Sequence, residues 1–243
     1  ALVEVNPTDP SITVPVPKGS IFGEVGLISG RKRGATVRAG QDSIMVEVSR
    51  TAALKLMASV PAAKRAVTRI SVERQLLQLF GSGLTPADLT EVLDSYEILS
   101  VRAGQPIITE GEEGDDIYVI RVGSMIVEKK VAGKPVFLSY LPAGSYVGEM
   151  GLIAGGRRVA TVKAAIKSEV IKLQGGAFRR LMEKKPALLE RARKDMAARQ
   201  DVNAFIESRK DSFSGVVDMY SETAKFLVDN GIGEARSEEQ RLN

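Results

Sequence analysis

The sequence contains no cysteine and no histidine. The first absence excludes disulfides, thiolate nucleophiles and cysteine-ligated iron–sulfur clusters within these residues. The second removes the commonest general base and the commonest metal ligand, so Ser-His-Asp and Cys-His catalysis cannot be built here. No apolar run approaches the roughly twenty residues that a transmembrane helix requires. No signal-like stretch is present either, and a cysteine-free chain suits a reducing compartment, so the expected location is cytoplasmic and away from membranes. What is present is 243 residues, 44% hydrophobic and 26% charged, which is ordinary globular composition and enough chain for two domains. The net charge of +4 admits an anionic small ligand and gives no argument for nucleic acid.

The chain contains an internal repeat. Phe22–Val37 reads FGEVGLISGRKRGATV and Val147–Val162 reads VGEMGLIAGGRRVATV. The two align without a gap at an offset of 125 residues, with ten of sixteen positions identical. Each copy has a Gly-Glu turn, an apolar pair, a Gly-containing loop and an Arg shortly before Ala-Thr-Val. Repeats of this kind mark repeated structural units.

The flanks of the two copies also correspond. Ala1–Val5 and Ser11–Val16 read as short strands around the turn chemistry of Asn6–Pro10. Ser43–Val48 largely alternates apolar and polar residues and is expected to be a half-buried strand. Leu54, Met57, Val60, Ala63, Val67, Ile70 and Leu77 then recur at helical spacing, and Pro61 should split this stretch into two helices. Gly81-Ser82-Gly83 reads as a hinge, and Thr85-Pro86 as a helix start. Ile98–Val101, Pro106–Thr109, Asp116–Val122, Ser124–Lys129, Val136–Leu141 and Ser168–Leu173 are short apolar runs punctuated by Gly. They predict an antiparallel sandwich or barrel. Ala177–Arg199 is expected to be helical, with Pro186 lying 125 residues after Pro61. Asp201–Asn230 carries a rough helical stripe.

The expected architecture is mainly β with helices. It comprises two β-roll or jelly-roll barrels in tandem, each followed by helices, and a helical tail. The boundaries are 1–83, 84–200 and 201–243. The first unit has no counterpart of Val101–Gly123, which predicts that it is N-terminally truncated.

On these motifs the second unit resembles the cyclic nucleotide-binding domain family. The resemblance rests on Val101–Gly104 with Pro106–Ile108, on Glu110–Tyr118 (EGEEGDDIY) with Gly123, on Gly148-Glu149 through Thr161, and on the helix around Pro186. It covers about Pro86–Arg199. The first unit matches from about Ala1 to Phe80, and the tandem is similar to regulatory subunits of cyclic-AMP-dependent protein kinase.

The resemblance implies a binding site in each unit. In the second, Arg158 would grip the cyclic phosphate, where a planar guanidinium outperforms an ammonium. Backbone N–H groups of Met150, Gly151, Val159 and Ala160 would form an anion-binding nest. Gly148 would allow close approach of the backbone, and Glu149 would accept a hydrogen bond from the ribose 2′-OH. By alignment Gly23, Glu24, Val25, Gly26, Arg33, Gly34 and Ala35 take these places in the first unit. The family often has Pro before the phosphate Arg; here Lys32 and Arg157 stand there. The residue after the Arg is Gly34 or Val159 rather than Thr, which favours cyclic AMP over cyclic GMP.

The implied function is a regulatory module that binds a cyclic nucleotide and relays occupancy through helices to an effector or partner subunit. The alternative is a ligand-free fold that docks or assembles a larger complex. Neither reading requires an enzyme, a metal, a cofactor or nucleic acid. The acidic run Glu110–Asp116 does not match the twelve-residue calcium loop. The Val202–Leu227 stripe leaves open a homodimer through the C-terminal helices.

Overall fold

The structure, a computed structural model, describes residues 1–4, 11, 13–30, 35–81, 83–131 and 134–208. The chain divides into two compact units, Ala1–Leu76 and Leu77–Asn243.

In the first unit, strands β1 (Leu2–Glu4), β2 (Thr13–Pro15) and β3 (Val37–Arg38) form a small antiparallel sheet in the order β2-β1-β3. Helix α1 (Glu24–Ser29) occupies the repeat motif. Helix α2 (Arg50–Ser59) starts on a Ser49 side chain that accepts from the Ala52 N–H, and α3 (Pro61–Phe80) follows it. Pro61 separates the two helices as expected, because a proline is tolerated in a first helical turn and not inside one.

Ser43–Val48 departs from expectation. It forms no strand, and Ile44, Met45, Val46 and Val48 are exposed. The physical reason lies in its counterpart. Ser168–Leu173 is held in place by a partner strand on each side, and both partners come from residues 97–122. Among the described residues the first unit has no equivalent of those strands, so alternation alone cannot make a ladder.

The second unit opens with a 3-10 turn (Pro86–Leu89) and helix α4 (Thr90–Asp94). Asp88 anchors the start of the turn: the Thr85 N–H and hydroxyl both donate to its carboxylate at 2.8 Å. Strands β4 (Glu97–Val101), β5 (Pro106–Ile108), β6 (Ile117–Val122), β7 (Ser124–Val131), β8 (Lys134–Pro142) and β9 (Tyr146–Val147) follow. Then come α5 (Glu149–Ala154), β10 (Thr161–Ala164), β11 (Ser168–Leu173), α6 (Gly175–Lys184) and α7 (Pro186–Ser208).

The strands make two four-stranded antiparallel sheets, β5-β10-β7-β8 and β4-β11-β6-β9. The expected barrel is not closed. Each sheet has one short edge strand, β5 with three residues and β9 with two, too few to carry a ladder from one sheet to the other. Each is cut short by a turn, at Gly111 and at Gly148, both with positive φ. The result is a sandwich. Val101, Ile108, Ile120, Met125, Val147, Val162, Ala164 and Val170, from both sheets, form its hydrophobic core.

Helix α6 buries Ala177, Phe178, Leu181 and Met182, spaced at one and four residues as a helix on a sheet requires. Its start is fixed by the acidic run. Gly175 N–H donates to Asp116 Oδ1 at 3.1 Å, and Arg179 pairs with Asp115 at 3.4 Å. The run Glu110–Asp116 is thus a structural fastener, and no metal-competent cluster occurs among the described residues. Pro186 begins α7, and Leu188 and Ala192 are buried on it. The expected tail beyond residue 208 lies outside the described residues, as does its Val202–Leu227 stripe in large part.

Candidate functional site

Two glycines set the geometry of the repeat motifs. Gly148 sits before α5 with φ 102°, and Gly23 sits before α1 with φ 85°. Both are left-handed, where a side chain is strained. At Gly148 a Cβ would also lie 2.4 Å from the Asp116 carbonyl oxygen. The turn therefore demands glycine twice over, for its backbone angle and for its packing. It brings Glu149 inward at the first position of α5, where its side chain is buried at 1% exposure.

Arg158 is also buried, at 7% exposure. Its Nη2 donates to the Asp116 carbonyl at 2.9 Å and its Nη1 to the Gly148 carbonyl at 3.2 Å. Its guanidinium lies between Gly114, Gly148 and Gly151, and a Cβ on any of the three would come within 3.0–3.1 Å of it. The backbone around it is tied down as well: Arg158 N–H donates to the Glu112 carbonyl, and Gly111 N–H to the Arg158 carbonyl. Arg158 is thus held rigidly against the Gly148 turn. A guanidinium has five N–H donors, and the two carbonyls use two of them.

Glu149 has two unlike oxygens. Oε2 accepts from Arg199 Nη1 at 2.7 Å. Oε1 is buried and receives no hydrogen bond among the described residues. Burial pushes the Glu149 carboxyl above its usual range, and the Arg199 charge opposes that rise. A buried acceptor without a donor is costly unless something supplies one.

Arg199 belongs to α7 and was not singled out from the sequence. Besides Glu149 it donates to the Tyr146 carbonyl at 2.9 Å, and its guanidinium lies 5.5 Å from the centre of the Tyr146 ring. The first unit repeats this clamp. Arg74 pairs with Glu24 Oε2 at 2.7 Å and also donates to the Ile21 carbonyl. Arg74 and Arg199, Glu24 and Glu149, and Ile21 and Tyr146 all stand 125 residues apart. Extending the repeat offset past the helix prolines would have found the pair from sequence.

The other expected site residues fall as follows. Ala160 and Gly151 are buried, Met150 is half-buried and Val159 is 37% exposed. In the first unit Glu24 is buried, Val25 and Ala35 are exposed, and the Gly26 carbonyl accepts from Arg50 Nη1 at 2.9 Å. Arg33 and Gly34 lie outside the described residues; among the described residues the Glu-Arg-Gly constellation is seen in the second unit.

Comparison with known proteins bears on the family of the second unit. Residues 98–185 match the family model "Cyclic nucleotide-binding domain". Through this unit the chain belongs to the cyclic nucleotide-binding domain family. It is 28% identical over 178 residues to a cAMP-dependent protein kinase regulatory subunit of Blastocladiella emersonii, covering 73% of this chain and 43% of that protein. It is 31% identical over 165 residues to the regulatory subunit of Mucor circinelloides f. lusitanicus, covering 68% of this chain and 38% of that protein. The chain thus spans less than half the length of these relatives. Among solved structures, the regulatory domain of Toxoplasma gondii PKA with cAMP is similar at a TM-score of 0.50 and 25% identity, covering 81% of this chain and 74% of that one. No helix among the described residues is long and apolar enough to cross a membrane.

Proposed function

We propose that the second unit binds a cyclic nucleotide, cyclic AMP in preference to cyclic GMP, at the Gly148–Ala160 turn. The observation that carries this reading is the pairing of unlike groups at one turn. Arg158 is a buried, rigidly held cation, and Glu149 Oε1 is a buried acceptor that lacks a donor. A cyclic nucleotide offers what both require, a phosphate anion and a ribose hydroxyl that can donate. Val159, the neighbour of Arg158, is apolar and offers no hydroxyl to a guanine base.

The same reading makes the protein a regulatory module rather than an enzyme. Glu149 is in contact with Arg199 on α7, so a ligand hydroxyl on Glu149 bears directly on how α7 is held. Occupancy would bias α7 only through differential affinity for its arrangements, and a coupling of about 1–3 kcal/mol would be typical. The effector is a protein partner, for which a kinase catalytic subunit is the first candidate in view of the relatives. The tandem arrangement, with a related site on the first unit, belongs to the same proposal.

The test is ligand-induced stabilisation. A ligand bound only by the folded chain raises its stability by RT ln(1 + [L]/Kd). The thermal midpoint should rise with cyclic AMP concentration, less with cyclic GMP, and not in Arg158→Ala. A midpoint that does not move with either nucleotide would contradict the proposal.

A further inference from the structure

Arg199 has a choice of carboxylates. Asp195 lies four residues before it on α7, and an acid four residues before a base on one helix is a favourable ion pair. Yet Arg199 reaches to Glu149 instead, and Asp195 is engaged by the Tyr146 hydroxyl, which donates to Asp195 Oδ2. Tyr146 therefore touches both ends of the choice. Its hydroxyl occupies Asp195, while its carbonyl and ring hold Arg199. Leu79, Ser145, Tyr146, Asp195, Ala198 and Arg199 line an open pocket of about 280 Å³ beside these groups.

The first unit supplies a control. Position 70 there corresponds to Asp195 and position 21 to Tyr146, and both are isoleucine. Where the competing acid is missing, the hydroxyl is missing too, and Arg74 still pairs with Glu24 at 2.7 Å. The tyrosine hydroxyl and the competing acid occur together or not at all.

We propose that Tyr146 is a positioning residue that occupies Asp195 and thereby commits Arg199 to Glu149. When the Tyr146–Asp195 bond is present, Arg199 bridges α7 to the Gly148 turn. When it breaks, Arg199 falls back to Asp195 within α7, and Glu149 loses its cation. The pair thus sets how tightly α7 is coupled to the turn, and this regulatory role rests on the cyclic-nucleotide reading of that turn.

The test uses the full chain without ligand. The titration of the Glu149 carboxyl carbon is followed by NMR in protein labelled at glutamate and assigned with Glu149→Gln. Loss of a neighbouring cation raises a carboxyl pKa, by about one unit or more for a close pair. Tyr146→Phe should raise the Glu149 midpoint by about one unit, while the Tyr146→Phe/Asp195→Asn double variant should return it to the wild-type value. Asp195→Asn alone should leave it at or slightly below wild type. A midpoint unmoved by Tyr146→Phe, or a double variant no closer to wild type than the single, would overturn the proposal. A purely structural tyrosine would show no such rescue. If Tyr146→Phe fails to fold, the double variant should fold, as the isoleucine pair does in the first unit; a double variant that also fails counts against the proposal. The readout needs no nucleotide, so a chain that ignores cyclic AMP would sink the binding reading and leave the Tyr146 result to stand or fall by itself.

Discussion

Arg199 Nη1 lies 2.7 Å from Glu149 Oε2, and this contact joins a helix to the turn that carries the candidate site. The two residues are separated by 50 positions in sequence, and the equivalent pair, Arg74 and Glu24, is separated by the same 50. The contact has a definite energetic sign. Glu149 is 1% exposed, so removing its cation leaves a buried carboxylate with one oxygen already lacking a donor. Truncating one partner of such a pair costs more than the pair itself contributes.

Arg199→Ala should therefore destabilise the second unit by about 1–3 kcal/mol, the cost of leaving a buried polar group unsatisfied. Arg199 is itself one-third exposed, which keeps the figure at this level. Glu149→Gln should soften the loss, because a neutral amide needs no counter-ion. Urea denaturation of the two single variants and the double variant would measure the coupling.

Glu149 also predicts a pH dependence. Burial raises its pKa in the folded state above the reference value of 4.5. The folded chain then holds a proton that the unfolded chain has already released, so stability falls as pH rises through that interval. The contribution is fully present below about 4.5 and is lost as pH passes the raised folded value. Wild type and Glu149→Gln should therefore diverge as pH rises from 4.5, and Arg199→Ala should extend the divergence to higher pH without moving its onset. Thermal midpoints measured across pH 4 to 8 would show parallel curves if the idea were wrong.

Asp88 gives the opposite sign. Its hydrogen bond with Lys185, and those from Thr85, hold its pKa down at about 2 against an ordinary 3.8. Stability from this group is present above 3.8 and is lost as pH falls toward 2. Lys185 also donates to the Gly83 carbonyl at 3.1 Å, so the cluster fastens the start of the second unit to the end of α6. Asp88→Asn should flatten the acid limb of the stability curve between about pH 4 and 2 and leave neutral behaviour little changed. Acid titration followed by circular dichroism would check it; an unaltered acid limb would remove Asp88 from the account.

Gly148→Ala should disable the site while sparing most of the fold. The new Cβ would sit 2.4 Å from the Asp116 carbonyl at a φ of 102°, and strain of this kind costs of order 1–3 kcal/mol. The Asp116 and Gly148 carbonyls both hold Arg158, so displacing either loosens the cation. The expected outcome is a cyclic AMP affinity reduced at least tenfold, with a smaller loss in the denaturation midpoint, read by equilibrium binding and urea titration on the same sample. Unchanged affinity would show that the turn geometry is not used.

Much of this was legible in the sequence, for reasons that differ by element. The strands of the second unit and the helix breaks at Pro61 and Pro186 follow from period and proline chemistry, which are local. Ser43–Val48 misled because its alternation is local while a strand depends on its partners, and the strands that flank its counterpart have no equivalent among the described residues of the first unit. Glu149 and Arg158 stood out through the repeat. The burial of Arg158 did not, since it depends on Gly114 and Asp116 approaching from the loop before β6. The Arg74–Arg199 correspondence was present at the same offset but lies outside the motif, on helices whose polar residues look like any solvated face. Open sheets rather than closed barrels follow from the lengths of β5 and β9, which composition does not disclose.

Titration calorimetry of the chain with cyclic AMP tests the central claim most directly. The account predicts saturable binding to wild type, weaker binding of cyclic GMP, and a loss of about 1.5–3 kcal/mol in Arg158→Ala, the value of charge-assisted hydrogen bonds. Absence of binding to wild type, or an affinity that Arg158→Ala leaves unchanged, would contradict it.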